Sequence, residues 1–265
     1  MIKNAQHFEP VGSVDCSHLK TMTKGQLCAL TAYDASKHIA TMCFALFRTE
    51  TSANWEMFME RVFKYFPRFK TIISDGAKGL ESLARLFVAH GVFHARCFWH
   101  VIEKNARQSG IAMTDADKAR AWTIVMSRTR EFALFHSERL MGDNRKLFDF
   151  ISPNLPVCAS YELLEQGKPR RGLKTSNPSE QFNGAVGVDR EGAVVDLLTG
   201  VLQKMANNTF LRRTDAQDRL DQSKYLAPRA EKDHALTLAK AQRCVVYKDE
   251  VTETHMKVNM YVCFT

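Results

Sequence analysis

The chain has 265 residues, 45% of them hydrophobic, and 37 Lys and Arg against 29 Asp and Glu give a formal net charge of +8. That length and apolar content support one sizeable core, or a core with an inserted subdomain, while no apolar run approaches the roughly 20 residues of a membrane-spanning helix. The start, Met1-Ile2-Lys3-Asn4-Ala5-Gln6-His7, has no apolar signal core, so an intracellular protein is expected, and the positive balance permits a polyanionic partner without requiring one.

Val11 to Leu46 reads as three strands with polar turns at Thr23-Lys24-Gly25 and Asp34-Ala35-Ser36-Lys37, an antiparallel meander. Then the period changes. After Thr51-Ser52-Ala53-Asn54, able to cap a helix, Trp55, Phe58, Met59, Val62, Phe63 and Phe66 recur at helical spacing until Pro67. Phe69 to Asp75 reads as a short buried strand. Gly79 to Ala89 predicts one amphipathic helix with Leu80, Leu83, Ala84, Phe87 and Val88 inward, and Gly91 to Arg96 predicts a fifth, shorter strand. Such a crossover returns the next strand parallel, which sets the strand near Asp75 beside the strand carrying Asp15.

From Cys97 to about Ala159 nearly everything reads helical, with Trp122, Val125, Met126, Phe132, Leu134 and Phe135 dense enough to demand a buried face. After Gly192, the residues Val194, Val195, Leu197, Leu198, Val201, Leu202 and Met205 predict a helix that packs on the sheet. Arg243 to Tyr247 and Lys257 to Val262 read as two closing strands.

Three acids stand out by context. Asp15 interrupts the run Val11 to Cys16 and Asp75 closes Thr71 to Gly76, both at the polar ends of strand-like segments, while Glu180 lies in Thr175-Ser176-Asn177-Pro178-Ser179-Glu180-Gln181-Phe182-Asn183 at a helix start. An acid at a strand end adds little to a core but can sit at the sheet edge where ions and ligands collect. A turn or capping aspartate is the plainer reading of either one alone. Three carboxylates from separate elements suit hard, oxygen-seeking divalent ions. Lys168, Arg170, Arg171 and Lys174 precede Glu180, with Arg212 and Arg213 beyond it; they read as a basic lip for a phosphodiester backbone or as a solvated loop. Lys78 is within reach of a phosphate or of water.

Seven cysteines without paired spacing or a secretory signal point to reduced thiols. His90, His94, Cys97 and His100 form the one local cluster of nitrogen and sulfur donors, and zinc is not expected there. Cys97 and His100 share a helix face and read as packing residues or as DNA contacts. Trp55 and Trp99 read as core.

Taken in order, VDCSHLK, GQLCALTAYDASKHIATMCFALFRTETSANWEMFM, IISDGAKGL, CFWH and TSNPSEQFN resemble the Mutator-like element (MULE) transposase family over nearly the whole chain. The resemblance implies an α/β, ribonuclease-H-like mixed five-stranded sheet flanked by helices, with an all-helical insertion before the last catalytic helix. It implies Asp15, Asp75 and Glu180 as catalytic residues and ligands of two Mg²⁺ or Mn²⁺ ions, with Asp15 shared between them. The reaction would be DNA strand cleavage by water, then strand transfer from the freed 3′ hydroxyl. Cys97, His100, Lys78, Arg170, Arg171, Lys174, Asn177 and Asn183 are further candidates for DNA contact or structural support. Element ends and target DNA are the expected partners, homo-oligomerisation stays open, and the location would be the nucleus in a eukaryote.

The expected organisation is a first catalytic part over 8–106, the helical insertion over 107–170, helices carrying Glu180 over 171–215 and a C-terminal extension over 216–265. Relatives commonly carry zinc modules on both sides of the catalytic region, and neither is present here, so a fragment, a decayed copy or a truncated gene model is expected. The alternatives are a domesticated DNA-binding transcription regulator without catalysis, and a ribonuclease-H-like nuclease acting on RNA in hybrids.

Overall fold

The computed structural model describes residues 8–20, 24–34, 37–76, 78–168, 173, 175–186, 193–224, 227–241, 244–245 and 262–263. Strands β1 (Val11–His18), β2 (Gln26–Tyr33) and β3 (Ile39–Phe47) pair antiparallel as the expected meander. Strands β4 (Thr71–Ser74) and β5 (Phe93–Arg96) then add in parallel to β1, so the sheet runs β3-β2-β1-β4-β5. Helix α1 (Ser52–Tyr65) covers one face; α9 (Asn177–Ala185) and α10 (Val194–Asp221) cover the other. This is the ribonuclease-H-like α/β arrangement, with its helical insertion between β5 and α9.

The face under α1 is an apolar layer. Val14, Leu30 and Ile72 from the sheet meet Trp55, Phe58, Met59, Val62 and Phe63 from the helix. Thr51 accepts the backbone N–H of Asn54 at 3.3 Å and so starts α1 as its sequence implied. Trp55 is only 1% exposed; its ring meets Phe47 and Phe58 edge-on, and its indole N–H donates to Glu50 Oε1 at 2.9 Å. Gly12 has a packing reason, since a Cβ there would lie 2.8 Å from Leu30 Cδ1.

The insertion has its own core. A π-helical segment (His100–Ala106) leads into α4 (Asp115–Met126), α5 (Arg130–Asp143), α6 (Arg145–Ile151), α7 (Leu155–Cys158) and α8 (Ser160–Glu165). Phe98, Ile102, Ile124, Val125, Leu140, Leu147 and Ile151 are buried together there. Thr114 and Asp117 close a reciprocal capping box at the start of α4.

Several expectations need correction. The helix expected over Gly79 to Ala89 is two pieces, α2 (Lys78–Glu81) and α3 (Ala84–Ala89). Ser82 bonds the Gly79 carbonyl and Ser52 at the break. Interrupting the helix resets its angular phase, so Leu80, Leu83 and Phe87 are buried while Ala84 faces outward and Val88 is 77% exposed. Phe132, Leu134 and Phe135 lie largely outside their core, as do Val195 and Leu202, and Trp99 is 42% exposed. Nor are all thiols reduced. Cys16 and Cys28 are directly opposed in the β1–β2 ladder, with Cα atoms 4.0 Å apart, and form a disulfide; strand register joins what a 12-residue separation in sequence did not signal. Helix α11 (Pro228–Ala241) follows α10, and Cys244–Val245 pairs antiparallel with Val262–Cys263. The remainder of the two expected closing strands lies outside the described residues.

Candidate active site

Register brings the first two acids together. Val11, Gly12 and Ser13 of β1 lie beside Thr71, Ile72 and Ile73 of β4, and the same register continued by two residues sets Asp15 beside Asp75. Asp15 does not end its strand as expected, because β1 runs on to His18 against β2. What ends there is the neighbour β4, and the carboxylates stand where β1 outruns it. The chain leaves β4 through Gly76, whose φ of +88° favours glycine. Ser74 Oγ receives the Gly76 N–H at 3.2 Å and bonds His94 Nε2 at 2.7 Å, which fixes the turn after Asp75. His94 stacks on Phe87 at 4.7 Å, and burial pulls its pKa down to about 4 against the opposing charge of Asp75.

Glu180 arrives on α9, which is pinned to the sheet by buried hydroxyls. Ser13 Oγ donates to the Ser176 carbonyl at 3.1 Å and Ser179 Oγ to the Ser13 carbonyl at 2.8 Å; the Thr31 hydroxyl bonds Ser179 Oγ at 3.0 Å, and Ser13 Oγ lies 2.9 Å from Ser179 Oγ. These side chains all occupy the face of the sheet opposite α1. One turn on, Asn183 Nδ2 donates to Asp15 Oδ2 at 2.9 Å. Ser176 stands at the helix start but its side chain caps no backbone N–H. Its hydroxyl instead donates to Glu180 Oε1 at 2.9 Å and contacts His100 Nδ1 at 3.4 Å, so it aims the carboxylate rather than closing the helix.

The electrostatics follow from this crowding. Burial, then the charges of Asp75 and Glu180, push Asp15 up to about 7, and the Asn183 hydrogen bond and His100 offset only part of that. Asn183 Oδ1 is buried without a hydrogen-bond partner. A carboxylate repelled by two others, next to an unsatisfied amide oxygen, is a hard oxygen donor set short of positive charge. An all-oxygen donor set suits an ion of the Mg²⁺ or Mn²⁺ class, but among the described residues the ligand atoms of Asp15, Asp75 and Glu180 do not all lie within 4.8 Å of one another.

Cys97 and His100 join the site from the end of β5 and the π-helical segment. Burial raises the Cys97 thiol, but hydrogen bonds with His100 and Ser176 outweigh it and the net shift is downward. Burial also opposes the charge on His100, while the Cys97 hydrogen bond and the charges of Cys97, Asp75 and Glu180 prevail and raise it. His100 Nδ1 lies 3.9 Å from Glu180 Oε1.

Asn177 is exposed at the start of α9; Arg170, Arg171, Lys174 and the side chain of Lys78 lie outside the described residues. Of the expected basic lip, Lys168 lies over the Phe93 ring and Arg212 bonds the Ile39 carbonyl and Asp34. A groove of about 990 Å³ between β3 and α10 is lined by Lys204, Arg212 and Arg213 but by none of the three acids. The roles of Ser13, Thr31, Ser74 and Ser179 were not legible in the sequence: a small hydroxyl residue on a strand or helix gives no sign of its partner until the two elements meet. The Thr175-Ser176-Asn177 segment is expected both to cap the helix and to aim Glu180; Ser176 does the second and not the first.

Residues 11–104 match the model of the MULE transposase domain. That segment holds Asp15, Asp75, Cys97 and His100, and ends before Glu180. No curated protein matches the chain. Among solved structures, the simian T-cell lymphotropic virus intasome in complex with PP2A regulatory subunit B56 gamma aligns at 14% identity and TM-score 0.30, over 56% of this chain and 47% of that one. The HTLV-2 integrase catalytic core domain in complex with magnesium aligns at 14% identity and TM-score 0.26, over 56% of this chain and 84% of its own in the dimeric form. The trimeric form gives the same identity and TM-score, with coverages of 62% and 95%. The chain thus spans about half the length of the first of these. The fold assignment rests on the strand order and not on these overlaps.

Proposed function

On the premise of a MULE transposase domain over residues 11–104, we propose that this chain is the catalytic domain of a DDE-type DNA transposase. The observation that carries this reading is geometric: the β1–β4 register brings Asp15 and Asp75 together, and α9, which carries Glu180, is docked on β1 through Ser179 and Asn183, with the Asp15 carboxyl pushed up by burial and by the two other acids. A structural carboxylate would be paired with a cation or left in water; this one is set among like charges, as a metal-binding acid is. Asp15, Asp75 and Glu180 would hold the divalent ions. When bound, such ions neutralise charge at phosphorus and stabilise the departing oxygen.

In the cleavage step, a water oxygen forms a bond to phosphorus while the bond from phosphorus to the 3′ oxygen breaks, leaving a 3′ hydroxyl and a 5′ phosphate. In strand transfer the freed 3′ hydroxyl takes the place of water at a target phosphodiester. The chain's contribution is positional. Register holds Asp15 beside Asp75, Ser74 and Gly76 set the direction of the turn that carries Asp75, and Ser176 orients Glu180. Element ends and target DNA are the proposed partners, and the nucleus the proposed location in a eukaryotic host.

The test is nicking of supercoiled DNA by the purified chain, joined to DNA-binding modules, in Mg²⁺ or Mn²⁺. Nicking is expected in the unsubstituted protein and should fall by at least about 10³-fold in Asp75→Asn, since the ion site supplies several kcal/mol of transition-state stabilisation. Sequence-specific DNA binding with no cleavage by the unsubstituted protein would overturn this reading in favour of a regulator. Preferential cleavage of RNA in hybrids would favour a ribonuclease.

A further inference from the structure

The four-residue donor cluster seen in the sequence does not survive folding. His90 lies against the Phe63 ring at 4.8 Å and His94 stacks on Phe87, which leaves Cys97 and His100 without them. The fold supplies a different third member. The ligand atoms of Cys97, His100 and Glu180 all lie within 4.8 Å of one another.

We propose that Cys97, His100 and Glu180 form a binding site for a soft divalent cation of the zinc class, distinct from the all-oxygen set of Asp15 and Asp75. One thiolate, one imidazole and one carboxylate make a three-ligand tetrahedral site, with the fourth position left to water. Zinc bonds of about 2.0–2.3 Å place donors roughly 3.3–3.8 Å apart, so the present spread closes with side-chain shifts of about an ångström. Two of the three ligands are buried, and they are held by backbone rather than by loops. Cys97 continues the ladder after β5 through its N–H to the Ser74 carbonyl at 2.7 Å, and Val101 N–H bonds the Cys97 carbonyl at 3.2 Å as the helix begins. The π-helical backbone from His100 widens the turn at this point. Ser176 Oγ touches both His100 and Glu180, which makes it the polar atom a bound cation would displace or recruit. The sulfur ligand selects against Mg²⁺.

The consequence for activity rests on the proposed function. Glu180 belongs to both donor sets, so an ion held by Cys97 and His100 draws that carboxylate away from the Asp15 and Asp75 side. Zinc then acts as an inhibitor that competes for one residue rather than for DNA.

Titration of the metal-free full chain with Co²⁺ tests the site directly, read as a thiolate-to-cobalt charge-transfer band. One Co²⁺ per chain is expected, displaced by Zn²⁺. The band should vanish in Cys97→Ser, bind at least about tenfold more weakly in His100→Gln and persist in Asp15→Asn, each variant first shown to melt cooperatively. Should Cys97→Ser fail to fold, His100→Gln decides. No band in the unsubstituted protein, a band unchanged in Cys97→Ser or His100→Gln, or a band lost in folded Asp15→Asn overturns the proposal. Zinc should also inhibit Mg²⁺-dependent nicking, and at least about tenfold more zinc should be needed in Cys97→Ser. A chain that binds Co²⁺ as described but never nicks DNA defeats the transposase reading alone; one that nicks but shows no band defeats the zinc site alone.

Discussion

Successive residues of β1 enter two different chemical worlds. Val14 and Cys16 point into the aromatic layer under α1, whereas Ser13 and Asp15 face α9 across a film of hydroxyls and carboxylates. Both faces are largely shielded from water, yet they hold the structure together by different means. The first gains from burial of apolar area, and every atom there contributes to stability. The second is organised by hydrogen bonds and leaves Asp15 among like charges, a local cost the rest of the fold must cover. A strand with period-two alternation is what lets one segment serve both purposes.

Three substitutions sharpen this contrast. Trp55→Ala removes the largest side chain from the apolar face, and chemical denaturation should show a loss of about 3–5 kcal/mol. An unchanged midpoint would mean that α1 is not needed to hold β1.

On the polar face the sign reverses. Asp15 has a folded pKa of about 7 against the ordinary 3.8, so its contribution to stability is complete below about pH 4 and is lost as pH rises through 7. Metal-free protein at pH 8 should therefore gain on the order of a few kcal/mol from Asp15→Asn, a rise of several degrees in Tm. The difference between the two proteins should shrink as the pH is lowered to 4. His94, whose folded pKa near 4 lies below its ordinary 6.5, acts oppositely: stability is lost as pH falls from 6.5 towards 4. Because His94 is present in both proteins, the difference isolates Asp15. A Tm that drops in Asp15→Asn at pH 8 would refute the like-charge picture.

The smallest effect belongs to Ser176→Ala. It frees Glu180 Oε1 without opening the core, so nicking should fall by about 10–100-fold while the denaturation midpoint moves by about 1 kcal/mol or less. A loss of folding stability without change in nicking would make Ser176 a structural residue only.

The elements of the sheet were legible because their signals are local. Alternation gave β1 to β3, Thr51 announced α1, and a short apolar run gave β4. The crossover argument went further and paired the strands of Asp15 and Asp75, which the β1–β4 register bears out. Where helical phase was extrapolated through a break, at Ser82, the reading put Val88 on the wrong side. It failed likewise for Phe132, Leu134 and Phe135, since periodicity counts apolar residues without knowing which face a neighbour will cover.

The identities of the three acids and their strand or helix settings came from the sequence alone, because local hydrophobic pattern and turn chemistry fix secondary structure over a few residues. Why Asp15 is hard to ionise, which cysteines meet and which acid joins Cys97 and His100 were settled only in three dimensions. Those properties depend on contacts between residues as many as 168 positions apart. Distance along the chain carries no information about electrostatic neighbours until strand register and helix docking have set it.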